Sequence, residues 1–293
     1  MLVSVIIPTF NRINVIGRAI DSVLSQSVES EIIVIDDGST DGTEEYLTKN
    51  YPTIRLISQK NQGASVARNT GIKNAQCKYI AFLDSDDQWC DKKLEKQISI
   101  METDDNIFLT FTDLCEIINK KIKYKSVLKE GGYLKVASGK IYENLLLECF
   151  IFTSTVLIRR EIFEDVGMFD ASLKVCEDID LWLRIALKGK IEFIDGILVN
   201  HYRLGDNLTC DNLLYGYSNL QMLKKQKILI SKIYPCKEKY IEIINENICK
   251  ASLAFAYHLI KNGNSRKARQ VLIENLNFYK FLNNIKLFLK SYI

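Results

Sequence analysis

Apolar and polar positions come in blocks along the first ninety residues. Val3-Ser4-Val5-Ile6-Ile7 runs into Pro8-Thr9-Phe10-Asn11, and Ile32-Ile33-Val34-Ile35 runs into Asp36-Asp37-Gly38-Ser39. Ile54-Arg55-Leu56-Ile57 runs into Ser58-Gln59-Lys60-Asn61-Gln62-Gly63, and Tyr79-Ile80-Ala81-Phe82-Leu83 runs into Asp84-Ser85-Asp86-Asp87. Short runs rich in Val and Ile read as buried parallel strands. Helical spacing fills the gaps. Asn14–Ser25 places Val15, Ile16, Ala19, Ile20, Val23 and Leu24 on one face, with Asn14 as cap. Thr43–Lys49 and Ala64–Asn74 read as two further helices, the latter ending near Gly71 and Asn74. Right-handed crossovers in such a βαβαβαβ chain bring all four polar clusters to one sheet edge. That edge, at the carboxyl ends of the strands, is where open α/β sheets bind ligands. Its carboxylates, amides and hydroxyls predict a site for a nucleotide and a divalent cation.

Further along, Lys92–Met101 reads as a helix and Phe108–Phe111 as a strand. The pattern weakens over 113–150, where Gly131-Gly132 marks a turn, and this stretch is expected to serve the acceptor side. Thr155–Ile158 and Ile197–Val199 read as strands, with Glu161–Val166 (stopped by Gly167) and Asp178–Leu187 as helices between them. Beyond about 212 the period is helical throughout: Leu213–Tyr234, then Tyr240–Ile260 and Ser265–Leu276 as a hairpin around Asn262-Gly263-Asn264, then Phe278–Ile293. The predicted fold is α/β, a mostly parallel sheet flanked by helices, with an α-helical C-terminal extension. The expected division is a domain over 1–211, split into a nucleotide half (1–112) and an acceptor half (113–211), and an extension over 212–293.

Composition narrows the class. Of 293 residues, 47% are hydrophobic and 26% charged, as in soluble globular proteins. The N-terminal apolar run stops at Pro8 without a basic lead, so it does not read as a signal peptide. No run approaches the roughly 20 apolar residues of a membrane span. Eight scattered cysteines form no C-x-x-C pair and read as buried thiols of a reducing cytosol. The net charge of +3 hides an asymmetry: residues 212–293 hold 14 Lys and Arg against 4 Asp and Glu. A basic tail with a polyanionic partner and a solvated helical face both explain it.

The candidate chemistry lies at the strand ends. Asp84 and Asp86, two residues apart after a buried strand, can hold one hard cation and bridge it to phosphate oxygens; an acidic loop capping the next helix is the bland alternative. Asp36 and Asp37 can accept from a base N–H or ribose hydroxyls, or close an Asx-turn around Gly38. Gly63 lets the backbone pass close to a ligand at a helix N-terminus, and Arg68 could reach the nucleotide or the first acidic pair. Glu177-Asp178 opens a helix, where acids also serve as plain caps. The functional reading makes Asp178 a general base. His201 could be a third metal ligand or a diphosphate donor, and Arg203 could offset phosphate charge. His258, within a helix, reads as structural.

Five segments in order carry a resemblance: Ser4-Val5-Ile6-Ile7-Pro8-Thr9-Phe10-Asn11-Arg12, Ile35-Asp36-Asp37-Gly38-Ser39-Thr40-Asp41-Gly42-Thr43, Asn61-Gln62-Gly63-Ala64-Ser65-Val66-Ala67-Arg68-Asn69-Thr70-Gly71, Phe82-Leu83-Asp84-Ser85-Asp86-Asp87, and Glu177-Asp178-Ile179-Asp180-Leu181-Trp182. Over about residues 1–205 the chain resembles the family 2 glycosyltransferases. The resemblance implies a GT-A fold, a nucleotide-sugar donor, Mn²⁺ or Mg²⁺, and inversion at the anomeric carbon. It implies that Thr9, Asp36, Asp37, Asn61, Gly63, Arg68 and Ser85 line the nucleotide pocket. It further implies that Asp84 touches ribose or metal, Asp86 binds metal, His201-Tyr202-Arg203 approaches the diphosphate, and Asp178 is the base. The helical tail resembles those of bacterial enzymes that build O-antigen or capsule units on undecaprenyl diphosphate. The expected partners are therefore a UDP-sugar, a lipid-linked or soluble glycan acceptor and the inner face of the plasma membrane, with no nucleic acid. The apolar face of Phe278–Ile293 could instead pack on the catalytic domain or on a second copy in a homodimer. Two other enzyme classes fit poorly. A nucleotidyltransferase would want a Gly/Arg/Lys-rich loop near residue 10, and a dinucleotide-binding oxidoreductase needs G-x-G-x-x-G after the first strand. A non-catalytic sugar-nucleotide-binding or scaffold protein is the different-class alternative; intact Asp86 and Asp178 speak against it.

Overall fold

The computed structural model describes residues 1–132, 138–203, 211–233 and 238–275. The chain forms two compact units, Met1–Ser172 with Asp178–Gly205 and Leu173–Glu177 with Asp206–Ile293.

The first unit begins as the hydrophobic pattern predicts: β1 (Val3–Thr9), α1 (Ile16–Leu24), β2 (Ser30–Asp36), α2 (Thr43–Asn50), β3 (Arg55–Ser58), α3 (Ala64–Asn74) and β4 (Tyr79–Phe82). These four strands lie side by side and parallel in the order β3-β2-β1-β4, with Thr9 opposite Asp36 and Asp36 opposite Ser58. Their polar ends therefore share one edge. Period-two alternation sends β1 side chains to both faces. Val5 and Ile7 join Ile16, Ala19, Ile20 and Val23 of α1 in one buried cluster. Ile6 points the other way, and a Cβ on Gly71 of α3 would sit 2.4 Å from its Cγ2. Gly71 is thus the close-contact point of α3 with the sheet rather than the helix stop its sequence position suggests. The predicted cap Asn14 is not used either: Val15 occupies the N-cap, and no side chain caps α1.

The unit continues with β5 (Gln88–Trp89), α4 (Lys93–Met101), β6 (Ile107–Ile118), β7 (Lys121–Tyr124), α5 (Val127–Glu130), α6 (Tyr142–Leu147), β8 (Leu157–Arg159), α7 (Ile162–Val166), α8 (Glu177–Ala186) and β9 (Lys190–Arg203). The sheet extends as β4-β8-β6-β9-β5, with β7 hairpinned to β6. β8 is antiparallel to both its neighbours, and β6 and β9 run parallel over most of their length. Both long strands exceed the short apolar runs that signal them, because their outer halves carry polar residues such as Glu116 and His201. The segment read as a strand over Thr155–Ile158 splits into a 3₁₀ turn, Thr153–Thr155, and β8. Two-residue β5 has no sequence signal, yet it pairs Gln88 with Asn200 and Trp89 with Val199. This pairing lays the Asp84–Asp87 loop beside His201.

The second unit holds α9 (Asn212–Ile233), α10 (Glu238–Lys261) and α11 (Ser265–Asn275). Asp211 caps α9, accepting from the backbone N–H groups of Leu213 (2.9 Å) and Leu214 (3.1 Å). Gly216 lets α9 approach α10, since a Cβ there would meet Phe255 at 2.8 Å. Gly263 at φ +76° closes the turn between α10 and α11. The amphipathic segment 278–293 lies outside the described residues. Among the described residues no helix is long and apolar enough to cross a membrane, and Cys77, Cys90, Cys115 and Cys149 are free thiols.

Candidate active site

The ends of β1 and β2 are tied into one rim. Asn11 takes a left-handed conformation (φ 52°), donates its N–H to Ser39 Oγ (2.9 Å) and accepts from the Thr40 N–H (2.8 Å). Asp36 is 1% exposed and accepts from the Ser39 N–H and hydroxyl. Burial raises its pKa, and the Ser39 hydrogen bonds pull it back. Thr9 is 3% exposed, and its hydroxyl is a buried polar atom with no hydrogen-bond partner among the described residues. A buried hydroxyl without a partner is costly unless a ligand completes it.

Asp37 does something different. Its carboxylate accepts from Gln59 Nε2 (2.7 Å), the Gln62 N–H (3.0 Å) and the Gly63 N–H (2.7 Å). Those bonds hold the loop of Asn61 and Gly63 at the start of α3. Gly38 completes the join: it has φ +81°, and a Cβ on it would lie 3.0 Å from the Asn61 backbone nitrogen. Gly63 (φ +91°) has open space around it. The structure thus gives Asp37 a loop-holding task that the spacing alone did not reveal.

The β4 end carries the densest charge. Arg68, buried on α3, donates from Nη2 to Asp84 Oδ1 at 2.7 Å, and its guanidinium lies 5.4 Å from the Phe169 ring centroid. Phe169 is fixed by Asn69, whose side chain bonds its backbone N–H (3.0 Å) and C=O (2.8 Å). Ser85 is 7% exposed. The Asp86 carboxyl is pushed up to about 7 by burial and by the charges of Asp87 and Asp84, against its own backbone N–H and Arg12. Arg18 on α1 donates to the Asp86 carbonyl and stacks 3.6 Å from the Tyr202 ring centroid.

Asp87, unassigned from the sequence, is fully buried and takes three donors: Ser154 Oγ (2.5 Å), His201 Nδ1 (3.0 Å) and the Tyr202 N–H (3.1 Å). Desolvation lowers the His201 pKa, but the charge and hydrogen bond of Asp87, with Asp84 and Asp86, push it up to about 9. Asp178, at the start of α8, accepts from the Ile179 N–H (2.8 Å) and weakly from Thr153 Oγ1 (3.4 Å). Burial raises its pKa, while the Ile179 bond and Arg68 lower it and Asp84 raises it further. Asp178, Arg68 and Asp84 thus share one electrostatic neighbourhood.

Two sequence expectations meet a different geometry. Arg203, predicted at a diphosphate, has Nε 3.1 Å from Glu116 Oε1. Among the described residues no group of three or more His, Cys, Asp or Glu is drawn together tightly enough to hold a metal ion. Asp84, Asp86 and His201 do not form a closed set, because Asp84 is committed to Arg68 and His201 Nδ1 to Asp87. The donor chemistry still suits a hard cation. Asp86 is a half-buried carboxylate raised by desolvation and by its acidic neighbours, and His201 hydrogen-bonds a carboxylate through one ring nitrogen, as metal-binding histidines do.

Residues 4–167 match the sequence profile of the family described as Glycosyl transferase family 2. The chain belongs to glycosyl transferase family 2. Among curated relatives it is 41% identical over 196 residues to an uncharacterized glycosyltransferase of Rickettsia felis, covering 66% of this chain and 31% of that protein. The chain thus spans about a third of the length of that relative. It is 37% identical over 216 residues to the Escherichia coli UDP-Glc:alpha-D-GlcNAc-diphosphoundecaprenol beta-1,3-glucosyltransferase WfgD, covering 72% of this chain and 80% of WfgD. Among solved structures it is similar to the mannosyltransferase PcManGT of Pyrobaculum calidifontis in complex with GDP-Man and Mn²⁺. That match has a TM-score of 0.64 and 16% identity, covering 99% of this chain and 80% of that one. The GT-A fold expected of this family 2 member is the one observed.

Proposed function

We propose that this chain moves a hexosyl group from a UDP-sugar to a hydroxyl of a glycan acceptor, with inversion. The acceptor would be an undecaprenyl-diphosphate-linked sugar met at the inner face of the bacterial plasma membrane. The observation that carries the reading is the meeting of Thr9, Asp36, Arg68, Asp84 and Asp86 at one sheet edge, with Asp178 in their field. Relatives such as WfgD, whose name states a UDP-glucose donor and a lipid-linked acceptor, support the substrate class.

Each residue has a task. Thr9 and Asp36 meet the nucleoside, Asp37 holds the Asn61–Gly63 loop against it, and Ser85 packs beneath. Arg68 fixes Asp84. Asp178, held by Ile179 N–H, takes the proton from the acceptor hydroxyl as that oxygen attacks C1 of the sugar. One base and no nucleophile give a single displacement, so an α-linked donor yields a β-glycoside. Asp84, Asp86 and Nε2 of His201, which would give up its proton on binding, would hold Mn²⁺ or Mg²⁺, which supplies charge neutralisation for the departing diphosphate. Arg203 would exchange Glu116 for phosphate oxygens. Residues 212–293, with their excess of 10 positive charges, would attach the enzyme peripherally to anionic lipid.

The test is a panel of UDP-hexoses with a synthetic GlcNAc-diphosphate-lipid acceptor, with Mn²⁺, with Mg²⁺ or with excess EDTA. Transfer from at least one donor, lost in EDTA, is expected. Full turnover in EDTA removes the cation from the mechanism. No transfer from any UDP-hexose overturns the donor assignment.

A further inference from the structure

The residues assigned to chemistry come from distant stretches of chain, and one short turn touches several of them. Thr153–Thr155 is a single 3₁₀ turn between Phe152 and β8, and all three residues are buried. Ser154 Oγ accepts from the Asp84 N–H at 3.1 Å and donates to Asp87 Oδ2 at 2.5 Å. Asp87 in turn takes His201 Nδ1. Thr153 Oγ1 lies 3.4 Å from Asp178 Oδ2. The Phe152 ring centroid is 6.0 Å from that of His201.

The turn is itself braced from below. The Ser154 carbonyl accepts from Trp89 Nε1 at 2.8 Å, and the Thr155 carbonyl accepts from Gln97 Nε2 at 2.9 Å. Gln97 Oε1 accepts from Lys93 Nζ at 2.7 Å, and that amine sits 4.1 Å from the Trp89 ring centroid. Lys93 and Gln97 are both 0% exposed. A buried polar network is retained only when it is satisfied, and this one ends on the underside of the turn.

We infer that the Thr153–Ser154 turn is a positioning clamp for both halves of the reaction. Ser154 sets the cation-binding loop and, through Asp87, the His201 ring; Thr153 steadies the base Asp178. Neither residue touches the reacting atoms. The inference rests on the cation and base assignments proposed above. Its signature is a split between neighbours: adjacent residues of one turn fail in different ways.

The test uses the full chain with UDP bound. Mn²⁺ affinity is read by electron paramagnetic resonance and turnover by the transfer assay. Ser154→Ala is expected to weaken Mn²⁺ binding by about tenfold or more, the range seen when groups orienting metal ligands are removed. Thr153→Val is expected to hold Mn²⁺ affinity within about twofold while lowering kcat and sparing the donor KM. Ser154→Cys, which keeps a donor and an acceptor, should recover part of the affinity. If Ser154→Ala does not fold, Asp87→Asn carries the same test, with the same loss expected. Unchanged Mn²⁺ affinity in Ser154→Ala, or in Asp87→Asn where that stands in for it, overturns the clamp, as does a parallel change of both quantities in Ser154→Ala and Thr153→Val. A wild-type chain that turns over yet binds no Mn²⁺ with UDP overturns the cation assignment instead, and the inference with it.

Discussion

The end of β2 and the segments at the end of β4 and the start of α8 use the same side chain in opposite ways. At the β2 end, Asp37 accepts from Gln59, Gln62 and Gly63, so both oxygens are occupied by its own loop. Where β4 ends and α8 begins, Asp86 and Asp178 are half-buried with fewer donors, and desolvation is the largest force raising the pKa of each. A carboxylate rich in donors is an anchor that fixes backbone. One poor in donors wants a cation or a proton. On the proposed reaction, the difference separates residues that shape the site from residues that act in it, although all are aspartates following a strand or opening a helix.

The comparison breaks first at Asp86. Asp86→Ala is expected to bring transfer down to background, because the cation loses a protein ligand that a hard ion with few contacts cannot spare. Steady-state transfer with saturating Mn²⁺ checks it, and turnover near that of the wild type would place the cation elsewhere. Asp178→Asn should come next, with normal folding and UDP binding but kcat lower by about 10²- to 10⁴-fold, the range of general-base catalysis. An Asn variant with near wild-type kcat would leave Asp178 as a helix cap.

Asp37 should behave as an anchor. Asp37→Ala removes the acceptor of the Gln59, Gln62 and Gly63 hydrogen bonds; Gln62 and Gly63 are exposed, so water re-pairs their N–H groups, and each lost bond costs about 0.5–1.5 kcal/mol. For a chain of this size about 1 kcal/mol moves Tm by roughly 2–4 °C. Thermal unfolding should show a clear fall, with turnover of the molecules still folded reduced far less than in Asp178→Asn. A variant that unfolds like the wild type but turns over as poorly as Asp178→Asn would put Asp37 among the acting residues.

The smallest effect has the opposite sign. Asp86 has a folded-state pKa of about 7, above its ordinary 3.8, so between those values the folded state binds more protons than the unfolded one. Stability from this group is therefore present below about pH 4 and lost as pH rises through about 7. In metal-free protein at pH 8, Asp86→Asn should raise Tm by a few degrees, and the gain should vanish near pH 4. A lower Tm at pH 8 would mean that the carboxylate is better satisfied than its surroundings indicate. Stability gained by removing a group that catalysis needs is the expected trade.

Legibility in the sequence follows the same division. The Val/Ile runs of β1, β2 and β4 and the polar clusters after them are local signals, and α3 falls on Ala64–Asn74 as its spacing predicts. Asp36, Asp84 and Asp86 sit in those clusters and could be found there, whereas Arg68, inside α3, was marked by the family resemblance. Asp87 and Ser154 could not, because their meaning arises from a contact across 67 residues of chain. Gln88–Trp89 is too short to show a period, yet it brings His201 to Asp87. Gly71 looked like a helix end because glycine usually is one; only the packed Ile6 shows why the helix continues through it. The task of Asp37 was hidden for a similar reason, since spacing reveals a carboxylate but not how many donors surround it.

In the proposed reaction Asp178 is a lone base acting without a covalent intermediate. The most direct measurement is the anomeric configuration, by NMR, of the product formed from an α-linked UDP-hexose and the GlcNAc-diphosphate-lipid acceptor. Asp178 as the proposed sole base, with no covalent nucleophile, predicts a β-glycoside. An α-linked product would contradict it.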